Sequence, residues 1–351
     1  MKLSTSTFLL LPFSLTSLTF AATSKRGISM LGDDHRSDWS LLTSPKSSLS
    51  WYWNWSPYPA SPSLVSSLLF IPQIHGIDNI EANTAQALTL PQNSTHLFTF
   101  NEPDGTTDSG GSSISPEAAA KAYIKNILPL RKGNGGRFLV SHPATTGSPN
   151  GLDWLRDFNA SCFKQAPKTG CPSDFIAAHW YGAFEGLTGW IDQLDTYYNK
   201  NTSRTTPLKI WITEVAIPQA DEETTVQMMN QTLPWLEENE TVERYAWFGM
   251  FRTDESNAWT GKQVAMFGKD GALTELGALY MNGVEVNGTS SAGQGEEAFT
   301  EGQKGEAKDE EGGGKGSSGG GGSGSGAGTV TMKPGWLWTG IVLACALGWT
   351  L

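Results

Sequence analysis

The sequence has little cysteine, little histidine and little positive charge, and each shortage excludes something. Three cysteines in 351 residues cannot build a disulfide scaffold. No further ligands stand near them for a metal role. The five histidines include no His-Glu-x-x-His spacing, so no metal is expected. No Gly-x-Ser-x-Gly elbow marks a serine hydrolase. After the first apolar run comes Ser29-Met30-Leu31-Gly32-Asp33, which is not the Gly-rich phosphate turn of an open, doubly wound sheet. No cofactor is expected either. Lys and Arg total 24 against 35 Asp and Glu, a net charge of -11, which argues against nucleic acid as a partner. Part of the acidic excess lies near the C-terminus, so it says little about any active site.

Both ends read as processing signals. Lys2, the apolar run Phe8 to Phe20 and the small pair Ala21-Ala22 have the layout of a secretory signal peptide over residues 1–22. Residues 288–334 run from acidic and polar into a nearly pure Gly/Ser stretch that cannot bury apolar surface, so a flexible stalk is expected. Residues 335–351 are apolar, shorter than a bilayer-spanning helix, and preceded by small residues at Ser325, Gly326 and Ala327. That matches a GPI-attachment signal with Ser325 as the attachment residue and Gly324 or Ser323 as substitutes; a single-pass tail anchor is the rival. The expected protein is therefore secreted and held at the cell surface by a lipid anchor. A monomer is the working expectation, although the sequence does not fix the oligomeric state. Cys162 and Cys171 remain in the mature chain and are expected to bridge in an oxidising compartment. Glycosylation acceptors begin at Asn93, Asn159, Asn201, Asn230, Asn239 and Asn287, and these support secretion. Asn54 also begins one but is expected to lie buried in the site, unmodified.

Between the two signals, residues 25–287 alternate short apolar runs with helical stretches. The runs are Arg26–Leu31, Leu49–Trp55, Leu68–Ile74, His96–Asn101, Arg137–Pro143, Asp174–Tyr181, Lys209–Val215 and Arg244–Phe251. They are rich in Ile, Val, Phe and Trp, as strands buried on both faces should be. Ser115-Pro116-Glu117 opens a helix to about Arg131; Leu152–Phe163, Gly189–Tyr198, Thr224–Glu238 and Thr274–Met281 are others. The stretch between strands one and three looks poor in helix. Eight strands alternating with crossovers predict an α/β fold, a single (β/α)8 TIM barrel.

In such a barrel the C-terminal strand ends meet on one face, where active sites form. Here those ends carry Trp51-Tyr52-Trp53-Asn54-Trp55, Gln73, Asn101-Glu102-Pro103, His179-Trp180-Tyr181-Gly182, Thr213-Glu214 and Trp247-Phe248. Glu102 and Glu214 end strands four and seven, on opposite sides of a closed barrel, so their carboxylates can face each other over one sugar. Two facing carboxylates are what glycosidic cleavage needs: one gives a proton to the leaving oxygen, the other acts at the sugar carbon. Singly, each glutamate reads as an ordinary strand-end or turn residue; the pair on one face carries the reading. Asn101 is placed to bond a sugar hydroxyl. Trp53, Trp180 and Trp247 are expected to stack on sugar rings, with one of the three conceded to packing, while a strand-body ring such as Trp211 reads as core. Tyr181 is expected to hydrogen-bond Glu214 and keep it ionised. His179 orients a neighbour or touches substrate, or is a core histidine; the two readings balance. Asn54 and Gln73 complete the expected substrate-binding set.

These stretches resemble the fungal glycoside hydrolase family 128, which includes the alkali-sensitive-linkage cell-wall proteins. The resemblance runs in order through nearly the whole globular region. Trp51-Tyr52-Trp53-Asn54-Trp55 and His179-Trp180-Tyr181-Gly182 are its more specific parts; the Asn-Glu pair is shared by a wider clan of retaining barrel enzymes. It implies a β-1,3-glucanase of retaining mechanism, with Glu102 matching the acid/base and Glu214 the nucleophile. Val215 stands where Phe or Leu is more readily expected. The two cysteines before strand six are also similar to the family's. The expected partner is β-glucan polysaccharide of the cell wall. Internal cleavage is the working expectation, although the sequence leaves cutting within chains or from their ends open. A transglycosylase using the same residues and a non-catalytic β-glucan-binding protein are the competing functions.

Overall fold

The computed structural model describes residues 24–281, apart from 32–34, 45–46 and 61–66. The expected signal peptide, stalk, tail and Ser325, together with Asn287, lie outside the described residues.

The eight apolar runs form eight short strands: β1 Arg26–Met30, β2 Trp51–Trp53, β3 Leu69–Phe70, β4 His96–Leu97, β5 Leu139–Val140, β6 Ile176–Tyr181, β7 Ile210–Ala216 and β8 Val242–Met250. Every strand pair is parallel. Six strands run in the order β3-β2-β1-β8-β7-β6, and β4 pairs with β5. Single bridges close the ring, Gln73 with Phe98 and Ser141 with Phe175. Their backbone bonds include Phe98 N to Pro72 O at 2.9 Å and Asp174 N to Val140 O at 2.8 Å. The result is the expected (β/α)8 barrel, with regular pairing concentrated on one side.

Alternation along the strands divides the core into two layers. Trp51, Phe98, Phe175 and Trp211 point into the barrel, all nearly or fully buried. Trp211 lies 5.4 Å from Trp51, 5.6 Å from Phe98 and 4.9 Å from Phe175, ring centre to ring centre. Ile28, Ile176, Ile210 and Ile212 point the other way and pack within a separate apolar layer that includes helix residues such as Leu187 and Met229. Each such large side chain contributes roughly 1.5–3 kcal/mol on burial, so the strand alternation sets the register firmly.

Among the helices, Ser115 caps Pro116–Ala122 by accepting the Ala118 amide at 3.3 Å. The chain then loosens into a π turn over Tyr123–Ile127 and a 3-10 turn over Leu128–Leu130. Pro129 lacks an N–H, and its ring ends regular α geometry. Gly151–Gln165, Phe184–Asp195, Glu222–Glu238 and Glu275–Tyr280 lie where helices were expected. Ile80–Thr89 is a helix that the sequence reading omitted. Between β1 and β2 the described residues hold only a 3-10 turn and the four-residue helix Trp39–Leu42. Cys162 and Cys171 form a disulfide, with Cα atoms 5.4 Å apart.

Candidate active site

Backbone irregularities deliver both glutamates to the mouth of the barrel. On β7, Ile210 and Ile212 face outward and Trp211 inward. Strict alternation would therefore turn residue 214 out of the barrel. The pairing with β6 shifts by one residue between Ala178 and His179, so that Ile212 faces Ala178 but Glu214 faces His179. That bulge takes up Thr213 and re-aims the Glu214 carboxylate inward. Beyond β4, Glu102 adopts a left-handed backbone with φ of 38°. Such a conformation costs a non-glycine residue about 1–3 kcal/mol. It is held by Glu102 N donating to Ala144 O at 2.7 Å and by Gly105 N donating to Glu102 O at 2.9 Å. The loop returning past it fits only because residue 111 is glycine, since a Cβ there would lie 2.6 Å from Glu102 O.

The two carboxylates and one imidazole form a compact cluster. One oxygen from each glutamate and a ring nitrogen of His179 lie within 4.8 Å of one another, and all three residues are buried. His179 Nδ1 is 2.9 Å from Glu102 Oε1. Its Nε2 approaches Glu214 Oε1 to 3.4 Å, within ion-pair distance but without hydrogen-bond alignment. Trp55 Nε1 donates to Glu214 Oε1 at 2.8 Å, and the Tyr181 hydroxyl donates to Glu214 Oε2. Trp55 is itself left-handed, with φ of 56°, which swings its indole over the site.

The environment separates the protonation behaviour of these groups. Burial pushes the Glu214 carboxyl above its ordinary value; His179 opposes this, Glu102 adds to it, and the bonds from Tyr181 and Trp55 favour the ionised form. Burial works against a charge on His179, yet Glu214 and then Glu102 outweigh it and raise the imidazole. Burial, followed by Glu214, raises the Tyr181 phenol well above its ordinary value, so Tyr181 stays a donor. Glu102, His179 and Glu214 offer metal-ligand atoms, but their donors already engage both Glu214 oxygens and Glu102 Oε1.

Asn101, Trp180 and Tyr181 line the same groove as the two glutamates. Asn101 Nδ2 donates to Gly110 O at 3.1 Å, which fixes its amide. His179 lies beneath the groove with its ring fully buried, bonded to Glu102. Gln73 is also buried, donating to Thr99 O at 3.1 Å. Asn54 is half-buried in a turn and donates to Tyr58 O at 2.7 Å instead of reaching the groove. Trp53 and Trp247 require correction, because neither ring reaches the groove. Trp53 is fully buried within the barrel, 5.5 Å from Phe98. Trp247 is buried with its Nε1 bonded to Val264 O at 2.9 Å. Alternation takes Trp53 into the barrel interior and Trp247 into the outer apolar layer, whereas Trp55, just past the end of β2, turns over the groove. The groove also holds His75, Phe248 and Trp259. No motif marked Trp259; its signal would have been a tryptophan in the polar loop after β8. The cleft has a volume of about 3510 Å³, beyond the ~300–1,000 Å³ of a small-molecule pocket.

Residues 27–280 match the family model for a glycosyl hydrolase catalytic core. Alkali-sensitive linkage protein 1 of Schizosaccharomyces pombe is 31% identical over 243 residues, which cover 67% of this chain and 40% of that relative's length. A curdlan-specific exo-β-1,3-glucanase of glycoside hydrolase family 128 from Blastomyces gilchristii, solved with glucose, is 28% identical. It aligns with a TM-score of 0.57 over 74% of this chain and 99% of its own. A family 128 oligosaccharide-binding protein from Trichoderma gamsii shares the fold, at 23% identity and a TM-score of 0.55 over 79% of this chain and 97% of its own. The match spans the whole described barrel, and this chain belongs to the glycosyl hydrolase catalytic-core family, within glycoside hydrolase family 128.

Proposed function

We propose that this chain is a retaining glycoside hydrolase that cleaves β-1,3-glucan by double displacement. The observation that carries the reading is the approach of the Glu102 and Glu214 carboxylates to within 4.8 Å. Retaining pairs sit about 5–5.5 Å apart, while inverting pairs stand roughly 6.5–9.5 Å apart to admit a water. Glu214 attacks the anomeric carbon as Glu102 gives its proton to the leaving glucosyl oxygen. The bond to that oxygen breaks and a Glu214 ester forms. Glu102, now ionised, takes a proton from water, whose oxygen displaces Glu214 and regenerates both groups. Tyr181 and Trp55 hold the attacking carboxylate, and His179 orients Glu102. The substrate class rests on the likeness to the β-1,3-glucanase from Blastomyces gilchristii. The large groove favours internal cleavage of a polymer, although the same fold serves an exo-acting relative.

The test is digestion of linear β-1,3-glucan followed by anomer and chain-length analysis. Glu214→Gln should abolish release, and an unchanged rate would remove the nucleophile assignment. Early formation of long fragments supports internal cleavage, steady release of glucose opposes it, and lengthened products identify transglycosylation. The oligosaccharide-binding relative favours a second, binding-only reading. Saturable glucan binding by the parent without new reducing ends would establish it. We also propose that the enzyme acts outside the cell on a C-terminal lipid anchor. The Cys162–Cys171 disulfide and the exposed Asn93, Asn201 and Asn230 acceptors support an oxidising, glycosylating route. Deleting residues 325–351 should release the protein into the medium; continued retention at the surface would refute the anchor.

A further inference from the structure

We propose that Trp259 is the stacking platform of a sugar subsite beside Glu214, and that Gln219 is the positioning residue that holds it there. The inference rests on the carbohydrate reading above. Trp259 is 57% exposed, more than the exposed Leu31, Tyr58, Ile77, Leu88 and Phe163. Its ring lines the groove edge-on to Tyr181, with centroids 4.7 Å apart, and Tyr181 bonds Glu214. The exposed indole therefore stands in the cleft against the ring whose hydroxyl bonds the Glu214 carboxylate.

An exposed indole on a slack loop would fold down onto apolar surface, since burying it is favourable. This one is tied on both flanks. The Gln219 amide donates to Ala258 O and to Trp259 O, the latter at 2.9 Å, while Gln219 N donates to Thr260 O at 3.1 Å. Asn257 Oδ1 accepts from Trp259 N at 3.0 Å and Thr260 N at 2.7 Å. Gln219 makes these bonds from a left-handed backbone with φ of 58°, a conformation unfavourable for a non-glycine residue. The clasp spends backbone strain to keep an apolar face in water. A pyranose presents the matching chemistry, with axial C–H groups for the ring face and hydroxyls for solvent.

The test uses the full chain in a Glu214→Gln background and a β-1,3-linked glucose hexasaccharide, with affinity measured by calorimetry. Trp259→Ala should weaken binding about tenfold, Trp259→Phe should keep most of it, and Gln219→Ala should fall between. In the active chain, Trp259→Ala and Gln219→Ala should raise KM for the hexasaccharide and leave kcat within about twofold, as loss of uniform binding requires. Parental affinity in Trp259→Ala overturns the subsite while leaving the hydrolase reading untouched. A parent that cleaves nothing, but whose affinity still drops on Trp259→Ala, ends the hydrolase reading and keeps the subsite. A parent that does not bind the hexasaccharide overturns both.

Discussion

His179 stands between Glu102 and Glu214, with Nδ1 2.9 Å from one carboxylate and Nε2 3.4 Å from the other. The two contacts differ in kind, because the first is an aligned hydrogen bond and the second a charge contact. His179→Asn separates them. Its amide can take the place of Nδ1 and keep a donor on Glu102, while the charge beside Glu214 is removed. That charge favours ionised Glu214, so the variant raises the carboxyl further. The expected result is a fall in kcat/KM of about ten- to a hundredfold at neutral pH, with the acid limb moved to higher pH. A pH–rate profile checks both parts; a lowered plateau with an unmoved limb would reduce His179 to packing.

Tyr181→Phe probes the same carboxylate from its other oxygen. The hydroxyl donates to Glu214 Oε2, a bond that stabilises the ionised form against the upward push of burial. In the proposed double displacement Glu214 must be ionised to attack, so activity should be lost as pH falls through its raised value. Removing the donor moves that loss to higher pH. Fluorinated glycosides with an activated leaving group isolate this attack, and their acid limb should shift upward in Tyr181→Phe while Glu102→Gln leaves their first step nearly intact.

That Glu102 and Glu214 share one face was legible in the sequence because both stand at the C-terminal ends of apolar strands, which gather at one mouth in a parallel barrel. The strands were legible for a related reason: burial on both faces leaves uninterrupted apolar runs. What was not legible was the local departure from alternation. Trp51, Trp53 and Trp55 share a period of two, yet the first two are sealed inside the barrel and the third turns over Glu214 through a left-handed backbone. The bulge that re-aims Glu214 has no composition cue either. The omitted helix Ile80–Thr89 buries only Ile80, Thr84 and Ala87, too thin an apolar stripe to stand out. Trp259 lay hidden because its position depends on Gln219, distant in sequence and joined to it by hydrogen bonds.

Gly27→Ala tests how tightly the interior is filled. Gly27 pairs with Trp51 across β1 and β2, and a Cβ on it would lie 2.0 Å from the Trp51 ring. That indole cannot easily give way, since its Nε1 donates to Lys25 O at 3.1 Å and its ring packs on Trp211. Overfilling such a site costs about 1–3 kcal/mol, or roughly 3–10 °C in Tm for a domain of this size. Thermal melts of parent and variant decide it, and an unchanged Tm would mean the interior has slack.

Folding stability should itself depend on pH through His142. This ring is buried between the Tyr198 hydroxyl, 2.9 Å from Nδ1, and Cys171 O, 2.6 Å from Nε2. Burial pushes it down to about 4 from an ordinary 6.5; the carbonyl contact opposes this, and Arg204 and Arg131 add to it. Between those values the unfolded chain holds a proton that the folded chain refuses, so stability rises with pH across that window. The contribution is complete above the unfolded value and is lost as pH falls toward the folded one, on the order of 3 kcal/mol in all. His96, pushed down to about 4 chiefly by burial and then by Arg244, adds a loss of the same sign. Urea midpoints measured at about pH 7 and about pH 4.5 should therefore fall steeply in the parent. His142→Gln removes one titrating group and should flatten that fall while lowering the midpoint at neutral pH. An equally steep fall in the variant would place the acid sensitivity elsewhere, with His96 the first group to replace in turn.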